Sequence, residues 1–337
     1  MKLDNNWFRL FSDCILVNGY SESLIYDLGR HISYPISPEY VNILNELLVM
    51  DIDTIKEKSS FSNYEIDFFI NQFVNEEIGF LTSEPLSFPA IDLNWESPYI
   101  ISNAILEIDK RMNYNAQNII NQLNQLFVEA VELRFNYKAS IQEVKDYLLF
   151  FEHTSINCLE LIIPSDLNMK NHDYFNLISS FPRIRRIIIY NAMENILVES
   201  EDILFKNRLF YINKDFSFDK SYLDEKERFI YTVQTFCEAN NFNLGLNQKV
   251  CVTKDGQVKN HISHDTSYGN VNNSTLLAIL SQESFKTKWQ ISNNEIEKCK
   301  DCQHKYSCSS NSDIIVKHGR YYKKDLCEFD PYKNEWN

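Results

Sequence analysis

The sequence predicts an α/β protein that contains a parallel β-sheet. In the middle of the chain four short apolar runs alternate with helical segments, and crossovers of this length join parallel strands. The 337 residues leave room for about two domains of roughly 150 residues each. Changes in pattern divide the chain more finely, into residues 1–85, 90–240 and 241–337.

Residues 1–85 predict a small module of strands and helices. Ser37 and Pro38 start one helix as its N-cap and first residue, and a second helix begins near Asn63. A short strand at Phe80–Leu81 follows. Apolar runs separated by turn residues predict an antiparallel meander before the helices, and these runs are Trp7–Phe11, Cys14–Val17 and Leu24–Leu28. This order of elements is typical of a winged-helix-like module.

Residues 90–240 predict a (β/α) partial barrel or an open parallel sheet. Its helices lie near residues 116–127, 141–151 and 172–180. The predicted strands are Ala104–Ile108, Val131–Phe135, Leu159–Ile163 and Arg186–Tyr190. A further strand is expected at Phe229–Val233, whereas the pattern of residues 191–226 predicts no particular element.

Charge and composition exclude several classes of function. Lys and Arg total 33 against 47 Asp and Glu, a net charge of −14 that disfavours nucleic acid and anionic membranes as partners. The 7 glycines form no phosphate-binding loop of the dinucleotide or P-loop type. No apolar stretch is long enough to cross a membrane, and the early charges argue against a signal peptide. We therefore expect a cytoplasmic protein, in which clustered cysteines indicate metal or redox chemistry.

The cysteines of the C-terminal part have the spacing of a metal site. Cys299 and Cys302 form a C-x-x-C pair, Cys308 follows after five residues, and Cys327 follows after eighteen more. Four thiolates in a short polar segment can surround one ion or cluster. Spacing alone leaves zinc and an iron–sulfur cluster as alternatives.

This part resembles the SPASM domain of radical-SAM peptide maturases. The resemblance rests on Gly256 with His261 five positions later, on the segment 267–271, and on KCKDCQHKYSC with the later Cys327. It implies that Cys299, Cys302, Cys308 and Cys327 ligate one 4Fe-4S cluster, with zinc as the alternative. The family's other cluster has lost its ligands here, because His261 and Ser312 stand at cysteine positions and no cysteine lies within 240–246.

The middle part then resembles a degenerate radical-SAM barrel. The family's C-x-x-x-C-x-x-C motif is absent after the strand Ala104–Ile108, where the sequence reads DKRMNYNAQN. Without those ligands we expect no S-adenosylmethionine as cofactor and assign no catalytic residue. Glu107 and Asp109 lie on one face of that strand near Arg134, which allows either an acid–base site or, as we favour, a buried ion pair. His261, His264 and Asp265 have the H-x-x-H-D pattern of a metal half-site, and a solvated polar turn explains them as well.

The combination is similar to the SPASM-domain maturases of grasp-with-spasm systems, which act beside an ATP-grasp ligase on a ribosomal precursor peptide to make graspetides. Residues 7–83 resemble the winged-helix elements that bind leader peptides as an added strand. The resemblance implies peptide contacts from an exposed edge strand and from a helix face, and the predicted residues are Leu24, Ile25, Tyr26, Asp27, Tyr64 and Phe68. A packing domain without a ligand explains the same pattern.

These expectations define a function with two alternatives. The predicted function is non-catalytic recognition and presentation of a precursor peptide to an ATP-grasp ligase that forms the bonds. One alternative is an enzyme, a maturase that uses its remaining cluster for redox chemistry or a remnant site for acid–base chemistry. The other is a zinc-stabilised protein-interaction module.

Overall fold

The structure is a computed structural model that describes residues 6–214 and 229–336. Its strands are β1 (Trp7–Leu10), β2 (Cys14–Val17), β3 (Ser23–Asp27), β4 (Ile32–Ile36), β5 (Gly79–Thr82), β6 (Asn103–Ile108), β7 (Ala130–Phe135), β8 (Cys158–Pro164), β9 (Ile184–Tyr190), β10 (Ile196–Leu197), β11 (Leu209–Ile212), β12 (Lys249–Val252), β13 (Gln257–Lys259), β14 (Gly269–Asn270), β15 (Ile314–Lys317), β16 (Arg320–Lys323), β17 (Phe329–Asp330) and β18 (Glu335–Trp336). Its α-helices are α1 (Pro38–Leu47), α2 (Ile52–Lys58), α3 (Asn63–Asn75), α4 (Ala116–Gln125), α5 (Ile141–Leu149), α6 (Asn171–Ser180), α7 (Val233–Asn241), α8 (Leu276–Leu280) and α9 (Glu283–Lys286).

The N-terminal module contains a three-stranded sheet in the order β2-β3-β4 and a separate ribbon of β1 with β5. The sequence predicts β2 and β3 correctly. The run at residues 7–11 was expected in the same meander, but β1 pairs with β5 at the far end of the module. The third strand of the sheet is β4, a segment that the sequence analysis left unassigned.

Helix-capping residues fix the helices of this module. The Asp51 side chain accepts a hydrogen bond from the backbone N–H of Thr54 at the start of α2, and Ser62 forms a capping box with Glu65 at the start of α3. The apolar faces of the helices then pack on one face of the three-stranded sheet. Residues of this core include Ile25, Ile36, Leu44, Ile66 and Phe69.

A nine-stranded sheet forms the middle of the molecule, in the order β10-β11-β9-β8-β7-β6-β12-β13-β14. Its six strands from β11 to β12 run parallel to their neighbours. All four strands and all three helices predicted for this part are present as β6–β9 and α4–α6. The outer face of the sheet is aliphatic and packs under the helices, with buried residues such as Leu106, Leu133, Leu161 and Ile187.

The sheet continues beyond residue 240, where the sequence predicted a domain boundary. Strand β12 lies beside β6, and β13 and β14 extend the same sheet in antiparallel pairing. The strand expected at Phe229–Val233 is wrong: Phe229 makes one isolated bridge to Cys308, and Val233 begins α7. The Thr232 side chain caps that helix, which explains why the chain turns helical there.

The C-terminal part carries two small hairpins, β15–β16 and β17–β18, after a stretch of turns that contains three of the clustered cysteines. The helix predicted near Thr275–Lys286 is present as two short helices, α8 and α9. In the described ranges, none of the helices has the length and apolar character needed to cross a membrane.

Candidate functional site

The cysteine segment, residues 299–327, begins with a tight turn. A 3₁₀ turn covers Cys299–Asp301, and the backbone N–H of Cys302 donates to the carbonyl of Cys299 at 3.0 Å. Lys298 precedes the turn with φ of 70°, a left-handed conformation that reverses the chain. The backbone N–H of Cys308 donates to the His304 carbonyl at 3.0 Å, which closes a second turn. Two successive turns therefore place three cysteines within one compact stretch.

The thiols of the segment lie within electrostatic reach of one another. Burial raises the pKa of Cys299 to about 12, and although Lys323 opposes this, the thiolates of Cys308 and Cys327 raise it further. Burial also raises the pKa of Cys302, and the same neighbours together with Cys299 add to the shift. Such thiols resist ionisation unless a cation compensates the negative charge.

A preassembled single-ion site is not formed by these thiols. Within residues 6–214 and 229–336, no group of three or more His, Cys, Asp and Glu side chains has the arrangement that holds a metal ion. Thiolates bind soft metals well, and four cysteines lie in this one segment of the sequence. Metal binding by Cys299, Cys302, Cys308 and Cys327 stays a prediction.

The two histidines expected in a solvated turn are buried, and that expectation is wrong. His261 is 4% exposed and His264 is 1% exposed. The Asn311 side-chain amide donates to His261 Nε2 at 2.9 Å, and Ser263 Oγ lies 2.8 Å from His261 Nδ1. His264 Nε2 donates to the Asn311 carbonyl at 2.9 Å. We call His261 and His264 the histidine pair; it ties the end of β13 to the segment before β15.

Burial sets the protonation of the histidine pair. It lowers the pKa of His261 well below the ordinary value of 6.5, and the positive charge of Arg134 adds to that effect. Burial also lowers the pKa of His264, although Asp313 partly opposes the shift. Both imidazoles are therefore neutral near pH 7. His261 has a hydrogen-bond partner at each ring nitrogen, whereas His264 Nδ1 is buried with no such partner among the described residues and lies 3.6 Å from Asp313 Oδ1. His261 stands where the resemblance expects a cluster ligand, and here its ring nitrogens are engaged by Asn311 and Ser263.

At the carboxyl end of β6, Glu107 has a structural role. Its Oε1 accepts a hydrogen bond from the Asn136 side chain, and its Oε2 accepts one from the backbone N–H of Lys254 at 2.7 Å. Asp109 accepts a bond from the backbone N–H of Arg111 at 2.8 Å, which closes the turn after the strand. Arg134 pairs with Glu132 on its own strand. The partners that the structure shows for Glu107 are thus an amide and a backbone N–H, whereas the sequence favoured an ion pair with Arg134.

The inner face of the sheet carries a row of charged side chains near the amino ends of the strands. Glu132 lies opposite Glu160, and Glu160 lies opposite Arg186 on the next strand. Arg186 Nη2 contacts Glu160 Oε1 at 2.8 Å. Arg134 and Arg186 balance the two adjacent carboxylates, which would otherwise repel one another.

A cavity of about 360 Å³ lies against this charged row. The histidine pair's His261 also lines it, together with Asn260 and Asn311. His261, which stands where the resemblance expects a cluster ligand, thus borders this cavity. No local sequence signal marks the cavity, because its walls come from five strands and from four further segments that are distant in sequence.

Four of the predicted peptide contacts lie in the wrong place for that role. Leu24, Ile25, Tyr26 and Asp27 belong to β3, which is the middle strand of its sheet, and all four are buried. The backbone of β3 pairs with β2 on one side and β4 on the other, so it cannot accept an added strand. The prediction that β3 forms the open edge is therefore wrong.

The side chains of β3 hold the module together instead. Ile25 packs under the helices, whereas Leu24 and Tyr26 point to the opposite face and pack with Phe236 of α7. Asp27 accepts a bond from the backbone N–H of Arg30 at 2.8 Å and forms an ion pair with its side chain at 2.6 Å. These contacts account for the burial of the strand without a ligand.

Tyr64 and Phe68, the other two predicted contacts, are exposed on α3. Tyr64 is 78% exposed, Phe68 is 59% exposed, and their rings stack with centroids 6.4 Å apart. Two adjacent aromatic rings in water offer apolar area that a partner can cover. Peptide binding by these residues stays a prediction.

The turn between β2 and β3 docks directly on the cysteine segment. The backbone N–H of Tyr20 donates to the Asp301 carbonyl at 2.8 Å, and the Tyr26 hydroxyl donates to the Gln303 carbonyl at 2.7 Å. Ser21 Oγ donates to the Pro331 carbonyl at 2.6 Å. A Cβ at Gly19 would lie 2.9 Å from the Gln303 nitrogen, so only glycine permits this approach. We call this turn, residues 18–22, the docking turn.

Comparisons with known proteins identify no family. No protein-family model matches the chain, and no curated protein matches it. Among solved structures, SuiB of Streptococcus suis is 8% identical with a TM-score of 0.35, over 89% of this chain and 94% of that one.

Two further SuiB structures are similar to the same degree. SuiB bound to S-adenosylmethionine is 8% identical with a TM-score of 0.34, over 90% of this chain and 94% of that one. SuiB bound to the precursor peptide SuiA is 8% identical with a TM-score of 0.35, over 96% of this chain and all of that one. A TM-score at this level establishes neither a shared fold nor a shared activity.

Proposed function

We propose that this protein recognises a ribosomal precursor peptide and presents it, without catalysis of its own, to an ATP-grasp ligase that forms the bonds. The observation that carries the proposal is the open side of the N-terminal module. There β4 is an outer strand of its sheet, and α3 exposes the aromatic pair Tyr64 and Phe68. A peptide can add to such a strand through backbone hydrogen bonds while its side chains cover neighbouring apolar area.

The corrected edge is β4 and not β3. Arg30, in the turn between these strands, donates to the carbonyl of Glu76 at 3.1 Å and to that of Glu77. This contact attaches the start of β4 to the carboxyl end of α3. Pro35 lacks a backbone N–H, so an added peptide would find its donors elsewhere along the strand.

The non-catalytic part of the proposal rests on the carboxyl end of β6. At the place where the resemblance puts three cysteine ligands, the chain has a turn closed by Asp109, and Glu107 is engaged by two hydrogen bonds. A scaffold requires no reactive group there. The proposed function requires no metal ion or cluster at the carboxyl end of β6.

In the same proposal the cysteine segment holds one 4Fe-4S cluster, with zinc as the alternative. Cys299, Cys302, Cys308 and Cys327 would supply all four ligands, which suits a structural role because no coordination position is left open. The docking turn contacts Asp301 and Gln303, between the cysteines. A metal that orders this segment would therefore also stabilise the surface on which the N-terminal module packs.

Peptide binding is tested by fluorescence anisotropy with labelled peptides that tile any short reading frame encoded next to the gene of this protein. The full chain is expected to bind the leader part, and the double variant Tyr64→Ala, Phe68→Ala to bind it at least tenfold more weakly. Since both side chains are exposed, the unfolding free energy should change by less than about 0.5 kcal/mol. Phe127→Ala is the matched control, because Phe127 is 66% exposed but lies outside the module. Equal binding by the double variant and the native chain would refute the aromatic contact.

Scaffold and enzyme are separated by mass spectrometry. The precursor is incubated with ligase and ATP, with this protein alone, and with both proteins. We expect a mass change that requires the ligase and increases when this protein is added. A mass change produced by this protein alone would show that it is an enzyme.

A further inference from the structure

A second cavity, of about 610 Å³, adjoins the one on the inner face of the sheet. It lies between the segment that leads into β6, the helix α7 and the turn before β12. The two cavities share Asn103, Ile230, Lys249 and Ser309 as wall residues. Its volume falls in the range of about 300–1,000 Å³ in which small-molecule sites occur.

Two opposite charges face this cavity from different elements. Glu238 on α7 accepts a hydrogen bond from the Asn247 side chain at 2.9 Å, and Lys249 Nζ on β12 donates to the Leu244 carbonyl at 3.1 Å. Each charge is thus held by a neutral partner. Neither has an ion-pair partner anywhere in the described ranges, although the two influence each other electrostatically.

The turn that separates the two charges is firmly fixed. The backbone N–H of Asn243 donates to the Trp289 carbonyl at 2.7 Å, and its side-chain amide donates to the Ile291 carbonyl at 3.1 Å. The backbone N–H of Asn247 donates to the Asn243 carbonyl at 2.8 Å. Glu238 and Lys249 therefore cannot collapse onto each other without breaking buried hydrogen bonds.

Burial acts against both charges, and each is only partly compensated by the other. Burial raises the pKa of Glu238 and lowers that of Lys249, so each charged form is disfavoured by its surroundings. Among the described residues, Asp92, Glu96 and Glu129 also line the cavity, so the carboxylates there outnumber the one ammonium group of Lys249, and Trp95 supplies an aromatic ring. A ligand that fits this chemistry carries one carboxylate and more than one positive charge.

We propose that this cavity binds a basic amino-acid unit with a free carboxylate, placing the carboxylate at Lys249 and a cationic group at Glu238. The unit is either a free amino acid such as arginine or the C-terminal residue of a peptide. This inference goes beyond the proposed function, since it concerns a part of the molecule that lies outside the N-terminal module.

Isothermal titration calorimetry of the full chain tests the site with four probes: L-arginine, the tripeptide Gly-Gly-Arg, agmatine and L-glutamate. We expect L-arginine or Gly-Gly-Arg to bind, and the stronger of the two identifies the source. Agmatine keeps the guanidinium group but lacks the carboxylate, so it should bind at least tenfold more weakly. L-glutamate should show no binding. The proposal is overturned if neither arginine probe binds, or if L-glutamate binds as well as they do.

Two variants assign the contacts. Glu238→Gln should weaken L-arginine and agmatine alike by tenfold or more, whereas Lys249→Met should weaken L-arginine alone and abolish its advantage over agmatine. Glu201→Gln, an exposed carboxylate away from the cavity, is the control and should bind like the native chain. Unchanged binding in Glu238→Gln would refute the assignment. Should a variant fail to fold by circular dichroism, the ranking of the four probes on the native chain still decides the proposal.

Discussion

The cysteine segment and the histidine pair both lie in the C-terminal part, but they differ in the neighbours that surround their titratable side chains. His261 and His264 are buried, and Asn311 serves both of them through its side chain and its carbonyl. Cys299 and Cys302 instead lie among other thiols whose negative charge would oppose their ionisation. The difference is one of charge: the imidazoles of the histidine pair are neutral at pH 7, whereas the clustered thiols would ionise only beside a cation.

The largest expected effect comes from Cys302→Ser. If the cysteine segment holds a metal, this variant should lose the bound iron or zinc measured by elemental analysis. Its unfolding free energy should fall by an amount on the order of 10 kcal/mol, the size of structural metal binding. The visible spectrum distinguishes the two metals, because an iron–sulfur protein is brown and a zinc protein is colourless.

Cys158→Ser is the control for that experiment. Cys158 is half-buried at the start of β8, far from the segment in sequence, and its replacement should leave the metal content unchanged. Equal metal content in Cys302→Ser and the native chain would show that Cys302 is not a metal ligand, and the proposed difference between the two regions would be wrong.

A smaller effect is expected from Gly19→Ala in the docking turn. The added Cβ would approach the Glu22 carbonyl at 2.3 Å and Gln303 at 2.8 Å, so the turn must shift away from the cysteine segment. Overpacking of this kind costs about 1–3 kcal/mol. Hydrogen–deuterium exchange should increase at residues 299–308 and stay constant around the histidine pair.

Gly319→Ala provides the matched control for the docking turn. Gly319, unlike Gly19, has a positive φ, of 74°, and nothing lies within 4 Å of its added Cβ. We expect a cost of about 1 kcal/mol from backbone strain and no change in exchange at residues 299–308. Similar exchange patterns in both variants would show that the docking turn does not protect the cysteine segment.

The smallest effect concerns pH and the histidine pair. The pKa of His261 is lowered on folding, so the unfolded chain binds the proton first. The contribution of His261 to the unfolding free energy is therefore fully present above pH 6.5, the ordinary pKa of histidine. It declines as the pH falls below that value, by about 1.4 kcal/mol per pH unit for each such group. Denaturant unfolding at pH 7.5 and about pH 5.5 should show this loss.

His261→Gln should reduce that loss, since glutamine does not titrate. His172→Gln, at a side chain that is 71% exposed, is the control for the replacement of a histidine by glutamine. An unchanged slope in His261→Gln would mean that His261 does not titrate below its ordinary range in the folded protein.

Sequence reasoning succeeded where local rules decide the structure. The strands β6–β9 are apolar runs between helices, and Ser37 with Pro38 marks where α1 begins. It failed where distant parts of the chain meet. Proline at position 35 made β4 look unlike a strand, and the missed strand made β3 look like an edge. The burial of His261 depends on Asn311, and the cavity at Lys249 depends on segments far apart in sequence, so neither leaves a local signal.

The contact between Ser21 and Pro331 joins residues separated by 310 positions in the chain. During synthesis at about 5–20 residues per second, Tyr26 and its neighbours on the outer face of β3 would remain without their C-terminal packing partners for roughly 15–60 s. Throughout that delay an apolar sheet face stands uncovered at the ribosome, which makes it a natural client surface for chaperones. Production of the protein in cells should accordingly respond to chaperone supply more strongly than its final stability suggests.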